Sequence, residues 1–271
     1  MKLPFIRQSK IAVVEIHGVI GDKLKINAYC ELFRKIRKNP NYKAVIIDIK
    51  SPGGSAAGTE VLYHELQKIN QSKPVVAYIR EIGASGGYYL ACSATHITAL
   101  PTTIVGSIGV IFMNPVAEQL LSKIGIKYSV FKQGKYKDMG GFWRENTEEE
   151  NEKFDALLKE VYDNFVGVVT ASRSLTPEES KTISTGEIFT GTSAKQLKLI
   201  DQIGGFEDTL QVAASLSGSK PRMKKLGPKT SLSDKFLFKN QTDINIALSA
   251  ISSILTGGLY YIDSSFMLNR N

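Results

Sequence analysis

Apolar positions along this chain fall into runs of two alternating kinds. Ile11–Ile16 is continuous, mostly β-branched and ended by His17-Gly18, which predicts a strand. From Lys23 to Asn39 apolar residues recur at helical spacing (Leu24, Ala28, Leu32, Phe33, Ile36) and stop before Pro40, which predicts a helix. Ala44–Ile49 is apolar except for Asp48, the pattern of a strand buried on both faces of a parallel sheet. An amphipathic helix near Ala56–Asn70 follows a turn, and Pro74–Ile79 predicts another buried strand. A Gly-rich turn at Gly83–Gly87 opens a helix through about Ser93. His96–Leu100, Ser107–Phe112 and Lys127–Lys132 read as strands. Asn114 with Pro115 reads as the start of a helix through about Lys123, proline suiting the first helical position.

The second half turns helical. Thr147 and Glu150 have capping-box spacing and predict a long helix towards Ser172. Thr176-Pro177 with Glu179 starts another, Gly186–Gly191 is a short strand and turn, and Gly205–Leu216 is a last helix. Strand and helix alternate throughout, so the fold class is α/β with a largely parallel sheet. No 20–50-residue repeat is visible. Three regions follow: a basic arm at 1–10, one domain at 11–219, and a basic tail at 220–271 that begins after Ser217-Gly218-Ser219.

Composition narrows the function. The 271 residues are 42% hydrophobic and 22% charged, enough for a sizeable core and unlike a disordered chain. The net charge of +8 is confined to the two ends, since residues 11–219 carry 23 charges of each sign. A neutral body argues against a nucleic-acid partner. The two cysteines, Cys30 and Cys92, have no C-x-x-C spacing and read as buried free thiols. His17, His64 and His96 have no metal-ligand spacing, so no metal site is expected. The first ten residues are too short and polar for a signal peptide or anchor. This points to a cytoplasmic or peripherally membrane-associated protein.

Two Gly-rich turns follow buried strands, where α/β folds place their sites. In Ser51-Pro52-Gly53-Gly54-Ser55, adjacent glycines permit close backbone approach and free N–H groups for an oxyanion, although the turn also serves as a plain strand-to-helix connection. In Gly83-Ala84-Ser85-Gly86-Gly87-Tyr88-Tyr89, a serine among small residues enters a helix with the logic of a nucleophile elbow, with a packing turn as the simpler reading. Such a serine needs a base. The three histidines read as structural, and a lysine neutralised by burial is the alternative. Spacing alone selects no particular lysine from the 34 Lys and Arg residues.

Further segments fall in a specific order. Ile11-Ala12-Val13-Val14-Glu15-Ile16-His17-Gly18 precedes the two turns. After them come Val105-Gly106-Ser107-Ile108-Gly109-Val110 and Gly134-Lys135-Tyr136-Lys137-Asp138. Phe189-Thr190-Gly191 with Ala194, Leu199-Ile200-Asp201 and Gly204-Gly205 complete the series. In this order, over roughly Ile11–Ala214, the chain resembles the signal peptide peptidase A family, serine peptidases of the Clp/crotonase-like superfamily. The resemblance implies a Clp/crotonase-like fold of repeated ββα units with a C-terminal helical tail. It implies Ser85 as nucleophile, Lys137 as general base and Ser107 as the hydroxyl that orients the lysine. Lys132 and Lys135 are then bystanders. Gly53 and Gly86 match the oxyanion hole, and no cofactor is implied. Substrates would be apolar peptides such as remnant signal peptides or membrane-protein segments, cut inside a homo-oligomeric ring.

Two departures stand out. Many members carry an N-terminal membrane anchor, which is not seen here. Where the family often has Asp-Gly-Arg, this chain reads Thr185-Gly186-Glu187, expected to alter an oligomer or surface contact rather than the chemistry. A non-proteolytic membrane-proximal scaffold is the alternative function. A crotonase-like CoA-thioester enzyme would need carboxylates that the turns lack.

The tail adds one feature. Ile244–Ile262 holds no charge, is broken by Asn245, Ser249, Ser252, Ser253 and Thr256, and places Ile244, Leu248, Ile251, Leu255 and Leu259 on one helical face. A helix docked on the body or a neighbouring subunit, an interfacial membrane helix and a weak spanning helix all fit. Its small and apolar residues would also suit the active-site groove as a self-substrate.

Overall fold

The computed structural model describes residues 10–21 and 24–228, together with the backbone of 258–262. The chain divides into two compact units. One comprises 1–110, 164–229 and 260–271, and the other 111–163 and 230–259.

The first unit is built on parallel strands. In chain order come β1 (Lys10–His17), α1 (Ile26–Lys38), β2 (Tyr42–Ser51), β3 (Gly53–Ser55), α2 (Ala56–Asn70), β4 (Val75–Ala84), α3 (Gly86–Ala91), β5 (His96–Ala99) and β6 (Ile104–Gly106). The second unit holds β7 (Ile111–Met113) and α4 (Glu118–Lys123), and the long α5 (Glu148–Arg173) begins in it. The chain then continues in the first unit with α6 (Pro177–Ile183), β8 (Ile188–Thr190), α7 (Gly191–Gln196), β9 (Gln202–Ile203), α8 (Phe206–Ser217) and β10 (Met223–Leu226). A last strand, β11, spans Gly258–Ile262.

The main sheet runs β10-β1-β2-β4-β5-β9, every neighbouring pair parallel. β6 pairs parallel with β4, and β8 antiparallel with β6. Ile11, Val13, Ala44, Ile46, Val76 and Tyr78 meet Leu210, Ala213 and Ala214 of α8. The alternate residues Ala12, Val14, Val45, Ile47, Val75 and Ala77 are also fully buried, so both faces of the sheet are covered. This is why the strands read as continuous apolar runs rather than as alternation.

Most expected elements are present, including the capping boxes at Thr147 and Thr176. Four differ. The run 107–112 is not one strand: Gly106 at φ +103° and Ser107 at φ +51° turn the chain out of β6, and pairing resumes only at β7. Residues 127–132 form no strand: they lie on an exposed stretch and pair with no strand among the described residues. The helix expected from Asn114 starts at Glu118, with Ala117 as its N-cap. The tail contributes β10 to the main sheet, so the fold continues beyond residue 219. The end of the uncharged tail run is extended, not helical: Gly257-Gly258 breaks a helix, and Leu259-Tyr260-Tyr261-Ile262 suits a strand. Residues 244–257 lie outside the described residues, as do residues 1–9 of the basic arm.

Candidate active site

The two Gly-rich turns end neighbouring parallel strands. Ser51 of β2 is in register with Gly83 of β4, and Ala84 of β4 with Gly106 of β6. Ser85 and Ser107 therefore emerge side by side from the carboxyl edge of the sheet, with the Gly53-Gly54 turn on the other side of Ser85. A direct bond fixes this layout: the Ser85 N–H donates to the Gly106 carbonyl at 2.7 Å. A Cβ on Gly87 would stand 2.5 Å from the Ser51 carbonyl oxygen, so only glycine lets α3 pack this closely on the first turn.

Ser85 sits at φ +51°, ψ −118°, a region that costs a non-glycine residue about 1–3 kcal/mol. It is the N-cap residue of α3, yet its side chain does not cap the helix and bonds to no described residue. The sharp turn aims the hydroxyl away from its own helix, the geometry of a nucleophile elbow. Tyr88 and Tyr89 hold that helix in place. Both are buried; the Tyr88 hydroxyl donates to the Leu199 carbonyl at 2.8 Å, and Tyr89 packs against Tyr63 and Phe165 with centroids 5.0 Å away. Ser107 shares the strained φ of +51°, is 8% exposed, and donates its N–H to the Glu187 carbonyl at 2.7 Å. Only the backbone of Glu187 reaches this corner. Its exposed carboxylate accepts from the Thr185 hydroxyl at 2.7 Å.

The two oxyanion candidates differ in state. Gly86 is the first residue of α3, where an N–H has no intrahelical acceptor. The Gly53 N–H donates to Ser51 Oγ at 3.1 Å, and that hydroxyl in turn donates to the Gly18 carbonyl at 2.7 Å. Ser51 was not singled out from the sequence; its place two residues before Gly53 is the signal that would have found it. β3 carries a further neighbour: Tyr260, Tyr261 and Ile262 of β11 pair antiparallel with Ser55, Gly54 and Gly53.

No described hydrogen bond joins a histidine to Ser85. His17 faces the buried Asp48 at 3.6 Å and His64 faces Glu60 at 3.6 Å. Both cysteines are free and buried, and burial pushes the Cys92 thiol up to about 11, which leaves it inert at neutral pH. Among the described residues, no three His, Cys, Asp or Glu side chains come close enough together to hold a metal ion. No helix among them is long and apolar enough to cross a membrane.

Lys137 lies in the second unit, on a run of turns between α4 and α5. Four lysines lie between α4 and α5 (Lys127, Lys132, Lys135 and Lys137), and the structure separates the last three. Lys132 is paired with Asp138, and Lys135 with Glu149 at 2.5 Å. Glu149 raises the Lys135 pKa, holding that amine protonated. The Lys137 side chain makes no hydrogen bond or ion pair with any described residue, and it is exposed rather than buried, contrary to the expectation of a lysine neutralised by desolvation.

Known proteins bear on this arrangement. A Synechocystis sp. protein named "Putative protease slr0021" is 38% identical over 214 residues, 79% of this chain and 76% of that protein. The chloroplastic serine protease SPPA of Arabidopsis thaliana is 34% identical over 244 residues, 84% of this chain, which spans about a third (36%) of that relative's length. A solved structure is similar in fold, with a TM-score of 0.54 at 16% identity over 82% of this chain and 99% of the other. It is a serine-to-alanine mutant of the 1510-N membrane-bound stomatin-specific protease. The family model described as peptidase family S49 matches residues 67–220. That match takes in Ser85, Ser107 and Lys137 in one continuous stretch, and the chain belongs to peptidase family S49.

Proposed function

We propose that this chain is a serine endopeptidase in which Ser85 and Lys137 form a catalytic dyad acting on apolar peptides. The observation that carries the reading is Ser85 itself: a strained elbow with an uncommitted hydroxyl, beside the free N–H of Gly86. In this reading Lys137, when its amine is deprotonated, takes the Ser85 proton as Oγ attacks the scissile carbonyl. The oxyanion settles on the Gly86 N–H and on the Gly53 N–H, which exchanges its 3.1 Å bond to Ser51 for the developing charge. Lysine then protonates the leaving amine, and water releases the acyl group by the same route. Ser107 orients the amine without adding charge. Among the nearby lysines, Lys137 suits the role because a carboxylate partner would hold the amine protonated. The homo-oligomeric ring and peripheral membrane contact through the tail remain part of this proposal.

A panel of quenched fluorescent peptides tests the substrate class. Peptides with small or apolar residues before the cut are expected to be cleaved, and charged equivalents to be cleaved at least about tenfold more slowly, since a pocket leaves an unpaired charge desolvated. Binding without turnover across the panel would instead favour the scaffold. Tight CoA binding by calorimetry would favour the thioester enzyme.

The pairing of β11 with β3 supports a second reading, in which the tail is a substrate of its own site. An extended peptide added to the edge of β3 lies along the Gly53-Gly54 turn, as Tyr260–Ile262 does. Purified wild-type protein is then expected to have a shorter C-terminus than Ser85→Ala by intact mass. Identical C-termini would contradict it.

A further inference from the structure

Lys137 poses a mechanical problem. A misplacement of about 1 Å costs a catalytic group about a hundredfold, yet this residue stands on neither helix nor strand. Its local backbone is held by a chain of turns: Lys137 N–H to Gly134 at 3.2 Å, Met139 N–H to Tyr136 at 3.2 Å, and Gly141 N–H to Asp138 at 3.0 Å. Something else must fix the loop.

We propose that Arg144 is the positioning residue for Lys137, clamping the adjacent Asp138 to the first turn of α5 through Glu150. The inference rests on Lys137 being the base. One edge of the guanidinium meets Asp138, with Nε donating to Oδ2 at 3.3 Å and Nη2 in ion-pair contact with Oδ1 at 3.2 Å. Nη2 also reaches the Asp138 carbonyl at 3.4 Å. The other edge is bidentate on Glu150, at 2.6 and 2.7 Å. Glu150 is 4% exposed and rigid, because it is also the capping-box residue of α5: its carboxylate accepts the Thr147 N–H at 2.9 Å, and its own N–H donates to Thr147 Oγ1 at 3.2 Å. The planar fork of arginine matches two carboxylates in a way lysine does not. On the other side of Lys137, Lys135 and the Tyr136 hydroxyl both bond Glu149. The residues flanking Lys137 on both sides are thus tied to one helix turn, and Lys137 alone is left free.

The clamp also sets the local field. An unpaired carboxylate next to Lys137 would favour its ammonium form and remove the base. Here Lys132 and Arg144 hold Asp138 down at about 2, and Arg144 with the Thr147 N–H holds Glu150 at about 2. Lys132, Lys135, Tyr136, Asp138, Arg144 and Glu145 on the loop and Glu148, Glu149, Glu150, Glu152 and Lys153 at the start of α5 make up the charged and titratable neighbourhood. Most of them line an open cleft of about 700 Å³.

The test is the pH–rate profile of the full chain, with Arg144→Gln, Arg144→Lys and Arg144→Gln/Asp138→Asn. Arg144→Gln is expected to lower kcat about 10- to 100-fold with KM within about twofold, and to move the rise of the profile to the alkaline side as a positive charge beside the loop is lost. Removing the Asp138 charge, still paired with Lys132 in Arg144→Gln, offsets the lost guanidinium charge in the double variant and returns the profile towards wild type while kcat stays low. Arg144→Lys keeps the charge but loses the fork, so kcat falls with no displacement of the profile. Should Arg144→Gln fail to fold by circular dichroism, the Arg144→Lys result decides. A wild-type kcat and profile in these variants, with Lys137→Ala inactive, would overturn the clamp alone. An active Lys137→Ala would overturn the dyad beneath it.

Discussion

Ser85→Ala is expected to lower kcat on an apolar peptide about ten-thousand-fold or more, the scale seen when a serine nucleophile is removed. The fold should not register the change. Ser85 Oγ bonds to no described residue and does not cap α3, so its loss leaves no unsatisfied partner. Alanine tolerates φ +51° about as poorly as serine, so the backbone strain is retained in both proteins. The midpoint of urea unfolding should therefore shift by less than that of an ordinary core truncation, within about 1 kcal/mol. An inactive protein of wild-type stability separates a chemical role from a structural one.

The lysine substitutions carry the second large effect. Lys137→Ala should reduce kcat on the same scale as Ser85→Ala, and the double variant should be no slower than either single one, because the two act as a unit. Lys137→Arg should be equally inactive, since a guanidinium does not deprotonate in proteins. Lys132→Ala and Lys135→Ala disturb the loop through Asp138 and Glu149, so each should cost about tenfold or less. Wild-type activity should rise with pH through the ionisation of the base, because only the neutral amine accepts the serine proton. The acid limb has a second origin. The native carboxyls of Asp138 and Glu150 titrate near 2, below their unfolded values, so their contribution to stability is complete above about pH 5 and is lost as pH falls towards 2.

Where burial fixed the pattern, the fold could be read directly. β1, β2 and β4 are apolar runs because they lie between covered faces, and α2 shows its amphipathic period and its Ser55 cap. The site serines were legible only in part: the glycine-flanked turn around Ser85 read equally as a packing turn, and Ser107 entered only through the family resemblance. Elements whose conformation is decided by a neighbour could not be read. Ser107 leaves β6 because Gly106 and Ser107 take positive φ, a choice that local β-propensity does not show. The apolar residues at 127–132 suggested a strand, but a strand needs a ladder partner, and sequence alone does not show whether one exists. The separation of Lys137 from Lys132 and Lys135 depends on Asp138 of the loop, which pairs with Lys132, and on Glu149 of α5, 14 residues from Lys135. Arg144 was hidden for the same reason, although its spacing to Thr147 and Glu150 marks a helix start that could receive it.

Covalent labelling of the wild-type chain with a fluorophosphonate, localised by peptide mass spectrometry, tests the central claim most directly. Such a probe reacts with a serine only where a base activates it and an oxyanion hole receives the charge. The account predicts one adduct, on Ser85, forming at a rate that rises with pH and falls at least about a hundredfold in Lys137→Ala. Absence of label on Ser85, labelling of Ser107 in its place, or an undiminished rate in Lys137→Ala would contradict it.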